Sequence, residues 1–187
     1  RVVAHADEIK GISEQLPTLN IDSVVEEGQT VCLGNATLEF IHTPGHTMGS
    51  ICVFYREERV LFTGDTILGG SSTAINPDQG DMGLYIESLK KLLTYDLKMI
   101  CPGHGPIIRN PEAKITSLIE HRQKRENQIL DLLESGTNTT EALFLSLYVR
   151  LNPALHDSAR SQVRTHLKKL EKEGRVKVGE DGVFRLV

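Results

Sequence analysis

Apolar positions along the chain change from alternation to helical periodicity at about residue 84. Before that point, short runs of branched and aromatic residues separated by polar turns predict β-strands. The predicted strands are Val2–Ala4, Thr37–His42, Ser50–Tyr55 and Val60–Thr63. The pair Gly34-Asn35 is a hairpin signal, and Ala6–Glu14 has the pattern of a short helix. We therefore expect an antiparallel meander here.

Helical periodicity dominates the second half of the chain. The predicted helices are Leu84–Thr94, Pro111–Gly136, Thr139 or Thr140 to Tyr148, and Asp157 or Ser158 to Lys172. Within the second of these, we interpret His121–Glu126 as a solvated charged face. Two short strands, Arg175–Val178 and Val183–Val187, flank the turn residues 179–182. Three helices followed by a β-hairpin is the order of a winged helix.

Charge is distributed unevenly along the 187 residues, whose net charge is −4. Residues 1–111 contain 8 basic and 14 acidic side chains, a balance of −6, whereas residues 112–187 contain 13 and 11, a balance of +2. We therefore predict two domains with a boundary at Pro111. A chain of this length excludes a large multidomain enzyme.

Three cysteines, Cys32, Cys52 and Cys101, are too few and too scattered for a disulfide framework. We interpret them as buried thiols in a reducing compartment, either the cytoplasm or the mitochondrial matrix. No apolar run approaches the ~20 residues of a membrane helix, and no secretory or targeting segment opens the chain. Because the sequence begins at Arg1 inside a strand-like run, we expect it to be a piece of a longer chain.

Candidate chemistry occurs where predicted strands end. His46 follows Pro44 and Gly45 directly after one strand, and Asp65 ends the next. His104 follows a second Pro-Gly pair after the apolar residues Met99 and Ile100. Two imidazoles and a carboxylate form a ligand set for a first-row metal ion. We expect His46, Asp65 and His104 to converge in one shallow site.

These motifs, TPGHTMGS, FTGDTIL and CPGHG, resemble those of the metallo-β-lactamase superfamily in their order. The resemblance extends from Arg1 to about Arg109. It implies an α+β fold, in which half of an αβ/βα sandwich precedes the winged helix. It also implies two zinc ions in a complete domain, with His46 on one, His104 on the other and Asp65 bridging them.

The family's first motif, His-x-His-x-Asp-His, is missing from this sequence. A catalytic zinc needs about three protein ligands and a water, so we expect only weak or partial zinc binding by this chain. We interpret His5 and His42 as packed or surface residues. We also expect the half sandwich to expose a face that a second copy of the chain could cover in a homodimer.

The helix from Ser158 to Lys172 carries an apolar stripe and a basic one. Arg160, Arg164 and Lys168 lie in the basic stripe and are candidates for contact with nucleic-acid phosphates, although a solvated face remains the alternative. The segments NPEAKITSLIEHRQKRENQIL and LKKLEKEGRV resemble the β-lactamase-like protein 2 family. That resemblance implies a metal-dependent hydrolase that cleaves single-stranded RNA by zinc-bound hydroxide.

Three functions therefore stay open. The complete protein would be an endoribonuclease-like hydrolase, or it would hydrolyse thioesters or other small esters, because one site on this fold serves many bonds. The third is an inactive fragment or binding module without metal. We predict no metal-dependent hydrolysis by this chain alone.

Overall fold

A five-stranded sheet forms the core of the first part of the protein, whose computed structural model describes residues 1–187. Its strands lie in the order β3 (Thr30–Leu33), β4 (Ala36–His42), β5 (Ile51–Tyr55), β6 (Val60–Gly64) and β7 (Met99–Pro102). The first four strands are antiparallel to one another, which confirms the predicted meander, and β7 joins β6 in parallel. A separate parallel pair contains β1 (Val3–Ala4) and β2 (Ser23–Val24), with helix α1 (Ile9–Gln15) between them.

One face of the sheet is covered, and the other is covered only in part. Leu61 is fully buried under helix α2 (Met82–Leu92), whereas its neighbour Phe62 is 46% exposed. On the side of Phe62, however, Val60 and Phe40 are each only 8% exposed, so this face is open only in places. The open face of a half sandwich, and its cover by a second copy of the chain, stay predictions.

The cysteines do not all meet the expectation of buried thiols. Cys52 is buried and Cys101 partly buried, but Cys32 is exposed on edge strand β3, so the interpretation of Cys32 was wrong. Burial raises the pKa of the Cys52 thiol to about 11, and this thiol therefore stays protonated at neutral pH.

Helix α3 (Pro111–Glu134) connects two hydrophobic cores. Ile115 and Leu118 pack into the core of the sheet, while Ile129 and Leu133 pack into a second core. The second core also contains helices α4 (Thr140–Leu147) and α5 (His156–Lys172) and the hairpin of β8 (Val176–Val178) and β9 (Phe184–Leu186). The α+β class and the winged helix are thus confirmed, and the boundary at Pro111 stays a prediction.

The interpretation of residues 121–126 as a solvated face was wrong in part. Arg122 is only 3% exposed and Glu126 is fully buried, both on the side of α3 that meets α5. Lys169 Nζ lies 2.9 Å from Glu126 Oε2, and His166 Nδ1 lies 3.5 Å from Oε1. Burial alone would raise the pKa of Glu126, but the adjacent His166 and Lys169 outweigh it and lower that pKa.

Candidate metal centre

His46 stands at the tip of a tight turn after β4. Gly45 has a φ of +135°, and a Cβ atom there would lie 2.3 Å from the Cα atom of Tyr85 on helix α2. Only glycine fits so close an approach. The partly buried imidazole of His46 places Nδ1 2.9 Å from the carbonyl oxygen of Ala74. A carbonyl only accepts hydrogen bonds, so Nδ1 carries the proton and Nε2 keeps its lone pair for an ion.

Asp65 and His104 meet because the parallel strands β6 and β7 end at the same edge of the sheet. Gly64 lies opposite Pro102 in the register, and the amide of Gly103 donates to the carbonyl of Gly64 over 2.8 Å. The Nε2 atom of His104 lies 3.6 Å from Oδ1 of Asp65. Both side chains retain solvent access, with 78% of the His104 side chain and 41% of the Asp65 side chain exposed.

Two consecutive loop residues connect Asp65 to His46. The hydroxyl of Thr73 donates to the backbone carbonyl of Asp65 over 2.8 Å, and the next residue, Ala74, accepts from His46. One short segment therefore holds the backbone of Asp65 and the side chain of His46. Sequence reasoning missed Thr73 and Ala74, since backbone contacts leave no signal in residue type.

The donor chemistry of these residues suits a first-row metal ion. An imidazole nitrogen with a fixed tautomer and a carboxylate beside a second imidazole are borderline ligands of the kind that zinc accepts. The structure pairs Asp65 with His104 directly and ties His46 to the same loop. The convergence of all three on one centre stays a prediction.

A cavity of about 290 Å³ opens beside Asp65. Its wall includes Glu8, Thr47, Gly49 and Thr66, and neither His46 nor His104 lines it. The cavity therefore adjoins the carboxylate and offers space next to the ligand set.

His5 and His42 form a stacked pair rather than two separate surface residues. Their ring centroids lie 4.0 Å apart with 9° between the planes, and Asp7 approaches His5 at 3.6 Å. Nε2 of His42 lies 2.8 Å from the carbonyl oxygen of Met48, to which it donates. Imidazole lone pairs lie in the ring planes, so two parallel rings do not direct them at one ion. This cluster is a packing contact in the structure.

The three candidate nucleic-acid contacts differ in how far their side chains already bind other groups of the protein. Arg160 makes a two-pronged ion pair with Glu141, at 2.7 and 2.9 Å, and its guanidinium covers the ring of Phe144. Lys168 donates to the carbonyl of Pro77 over 2.6 Å. Arg164 is exposed and has no partner among the hydrogen bonds and ion pairs of the structure. Contact of these residues with nucleic acid stays a prediction.

Comparison with known families agrees with this geometry. The model of the metallo-beta-lactamase superfamily matches residues 3–104, and that of the beta-lactamase associated winged helix domain matches residues 139–185. The chain therefore belongs to the metallo-β-lactamase superfamily and carries the winged helix associated with it.

Within the superfamily, the chain is similar to the beta-lactamase-like protein 2 homolog of Caenorhabditis elegans. The two are 37% identical over 151 residues, which is 80% of this chain and 50% of the relative. An atrochrysone carboxyl ACP thioesterase of Aspergillus fumigatus is 34% identical over 111 residues, covering 59% of this chain and 34% of that protein. The recognition made from the sequence motifs is confirmed.

A solved structure shows the same fold over the whole chain. A metallo-beta-lactamase family protein of Thermus thermophilus superposes with a TM-score of 0.83 at 21% identity, covering 100% of this chain and 72% of that one. The chain spans about half the length of the C. elegans relative. None of its helices is long and apolar enough to cross a lipid bilayer.

Proposed function

We propose that this chain supplies the C-terminal ligands of a dinuclear zinc hydrolase. His46, Asp65 and His104 would hold the ions together with a His-x-His-x-Asp-His segment from outside the chain. The observation that carries the proposal is the approach of His104 Nε2 to Asp65 Oδ1 at 3.6 Å, at the shared ends of two parallel strands. Zinc, when bound, lowers the pKa of a coordinated water and stabilises negative charge that develops on the substrate.

The chain's own residues prepare the site for that chemistry. The carbonyl of Ala74 holds the proton of His46 on Nδ1, so the lone pair of Nε2 would be available to an ion. The hydroxyl of Thr73 donates to the backbone carbonyl of Asp65 and so fixes the backbone at that residue. With its backbone fixed in this way, Asp65 would offer its carboxylate to the ions as a ligand beside His104.

Single-stranded RNA is the substrate that we propose for the complete protein. The support is the resemblance to the β-lactamase-like protein 2 family and the exposed Arg164 on helix α5 of the winged helix. A guanidinium so placed could neutralise one phosphate of a bound strand.

A thioester is the second candidate substrate. One relative at 34% identity is named a thioesterase, and the cavity of about 290 Å³ beside Asp65 has room for a small acyl group. Hydrolysis of a small thioester would not require the winged helix to contact the substrate.

A hydrolase assay on RNA, thioester and lactone substrates separates these possibilities. We would compare this chain, the same chain preceded by a segment bearing His-x-His-x-Asp-His, and the extended Asp65→Ala variant. We expect activity only in the extended protein, its abolition by a chelator, and a loss on the order of 10²-fold or more with Asp65→Ala. The exposed Asp131→Ala on helix α3 is the matched control and should retain activity. Comparable activity of the short and extended chains would contradict the proposal.

A further inference from the structure

The loop that carries Thr73 and Ala74 is held in place by the C-terminal domain. We call residues 73–81, between β6 and α2, the site loop. The hydroxyl of Thr165 on helix α5 lies 2.8 Å from the carbonyl oxygen of Ile75 and 2.8 Å from that of Ser161, so the two carbonyls share its single proton. Nε2 of Gln162 donates to the carbonyl of Ile75 over 2.9 Å. Thr165 is 2% exposed, so this contact is shielded from water.

The same face of α5 continues along the site loop. Lys168 donates to the carbonyl of Pro77 over 2.6 Å, and Lys172 lies 3.1 Å from a carboxylate oxygen of Asp81. The contacts come from Gln162, Thr165, Lys168 and Lys172, three or four residues apart, which places them in one row on the helix. Lys168, which belongs to the basic stripe, therefore binds the protein's own backbone.

Helix α3 holds the other end of this segment. The guanidinium of Arg122 donates through Nη2 to the carbonyl of Thr73 and through Nη1 to Oε1 of Gln162. It also lies over the ring of Tyr85, 5.5 Å from the centroid. An arginine that is 3% exposed is costly to bury unless hydrogen bonds compensate it, so these contacts tie Arg122 firmly to the loop.

Each of three successive carbonyls has at least one defined donor. Those of Thr73 and Ile75 accept from the C-terminal domain, and the carbonyl of Ala74 between them accepts from His46 Nδ1 at 2.9 Å. A short stretch of backbone held on both sides has little freedom to rotate its central peptide. The direction of the Ala74 carbonyl is thus set by residues of α3 and α5.

We propose that helix α3 and the winged-helix domain together position the metal ligand His46, with Arg122, Gln162 and Thr165 acting through the carbonyl of Ala74. Their effect is to keep the proton on Nδ1 and the lone pair on Nε2. The inference rests on the proposed function for the identity of the ion, but the tautomer of His46 exists without any metal. Loss of such supporting contacts commonly lowers metal affinity about 10–100-fold.

Nitrogen NMR of the His46 ring in the metal-free chain tests the proposal, at a pH where the ring is neutral. We expect the wild type to show the Nδ1–H tautomer alone. The double variant Gln162→Leu/Thr165→Val should show both tautomers, and zinc titrated into it should perturb the His46 ring with an affinity lower by about 10-fold or more. Thr165→Ser retains the hydroxyl and should restore the wild-type spectrum, while Arg164→Ala on the same helix should leave it unchanged.

Other results would overturn the proposal. A folded double variant that keeps a pure Nδ1–H tautomer would show that α5 does not position His46. If the double variant does not fold, the pair Thr165→Val and Thr165→Ser decides, since identical His46 spectra in both would contradict the role of the hydroxyl. A tautomer that responds as expected in a protein whose extended form hydrolyses nothing would support the positioning and contradict the proposed function.

Discussion

Gly45 is the residue on which the position of His46 most directly depends. A side chain there would meet the backbone of Tyr85, and the φ of +135° is itself unfavourable for any other residue. Gly28 also has a positive φ, of +73°, but open space surrounds it. A substitution at Gly28 therefore introduces backbone strain alone, whereas a substitution at Gly45 introduces both backbone strain and a steric clash.

We predict that Gly45→Ala destabilises the protein much more than Gly28→Ala does. The control should cost about 1 kcal/mol through backbone strain alone. The Gly45 variant adds a clash with helix α2 and should cost several kcal/mol, at the upper end of single substitutions. Urea unfolding followed by circular dichroism measures both. Equal losses in the two variants would show that the turn can move away from α2.

Arg160 and Arg164 are neighbours on α5 with different expected roles. Arg160 is engaged with Glu141 and Phe144, whereas Arg164 is exposed. We predict that Arg164→Ala weakens binding of single-stranded RNA and reduces the salt slope of log K by about 0.7, the value for one phosphate contact.

Measurement of RNA affinity at several salt concentrations tests this expectation. Arg160→Ala is the comparison, and it should lower the free energy of unfolding more than Arg164→Ala does, because it removes an ion pair and a ring contact. An unchanged affinity and slope in Arg164→Ala would leave the basic stripe as a solvated face that also binds the site loop.

At the scale of elements, the contact between α3 and α5 contains buried ionisable groups. Burial lowers the pKa of His166, and the positive charges of Arg122 and Arg125 lower it further, against the opposing effect of Glu126. The neutral form of His166 is therefore the one that the folded protein favours. Lys169 completes the cluster with its ion pair to Glu126.

We predict that stability decreases as the pH falls below about 6.5, the ordinary pKa of histidine in an unfolded chain. In that range the unfolded state takes up a proton at residue 166 before the folded state does, which favours unfolding. The stability due to His166 is complete above that pH and is lost progressively below it, by up to about 1.4 kcal/mol per pH unit. Urea unfolding at pH 7.5 and 5.5 should show a smaller decrease for His166→Gln. Equal decreases in both proteins would contradict this assignment.

Most elements of the fold, and the turns at the strand ends that carry His46 and His104, could be predicted from the sequence. Alternating and helical periods located the meander, helix α3 and helix α5, and glycines before His46 and His104 marked the turns at strand ends. The burial of Arg122 and Glu126 could not be predicted, since a run of charged residues on a helix is usually solvated. The role of Ala74 was equally hidden, because its carbonyl is common to every residue.

At the scale of the whole molecule, both domains contact the site loop. The edge of the sheet supplies His46, Asp65 and His104. Helices α3 and α5 bind the backbone carbonyls of Thr73, Ile75 and Pro77, and α5 also binds the carboxylate of Asp81. Helix α3 packs into both cores and so connects the two parts. On the partly open face of the sheet, Phe62 is 46% exposed, and the chain spans about half of the C. elegans relative's length.

The zinc content of the extended protein tests the central claim most directly. After dialysis against metal-free buffer, elemental analysis should find two zinc ions per extended chain and substantially less in this chain alone. The triple variant His46→Ala/Asp65→Ala/His104→Ala of the extended protein should retain less than one, provided that circular dichroism shows it folded. Two tightly bound zinc ions in the folded triple variant would contradict the assignment of these residues as ligands.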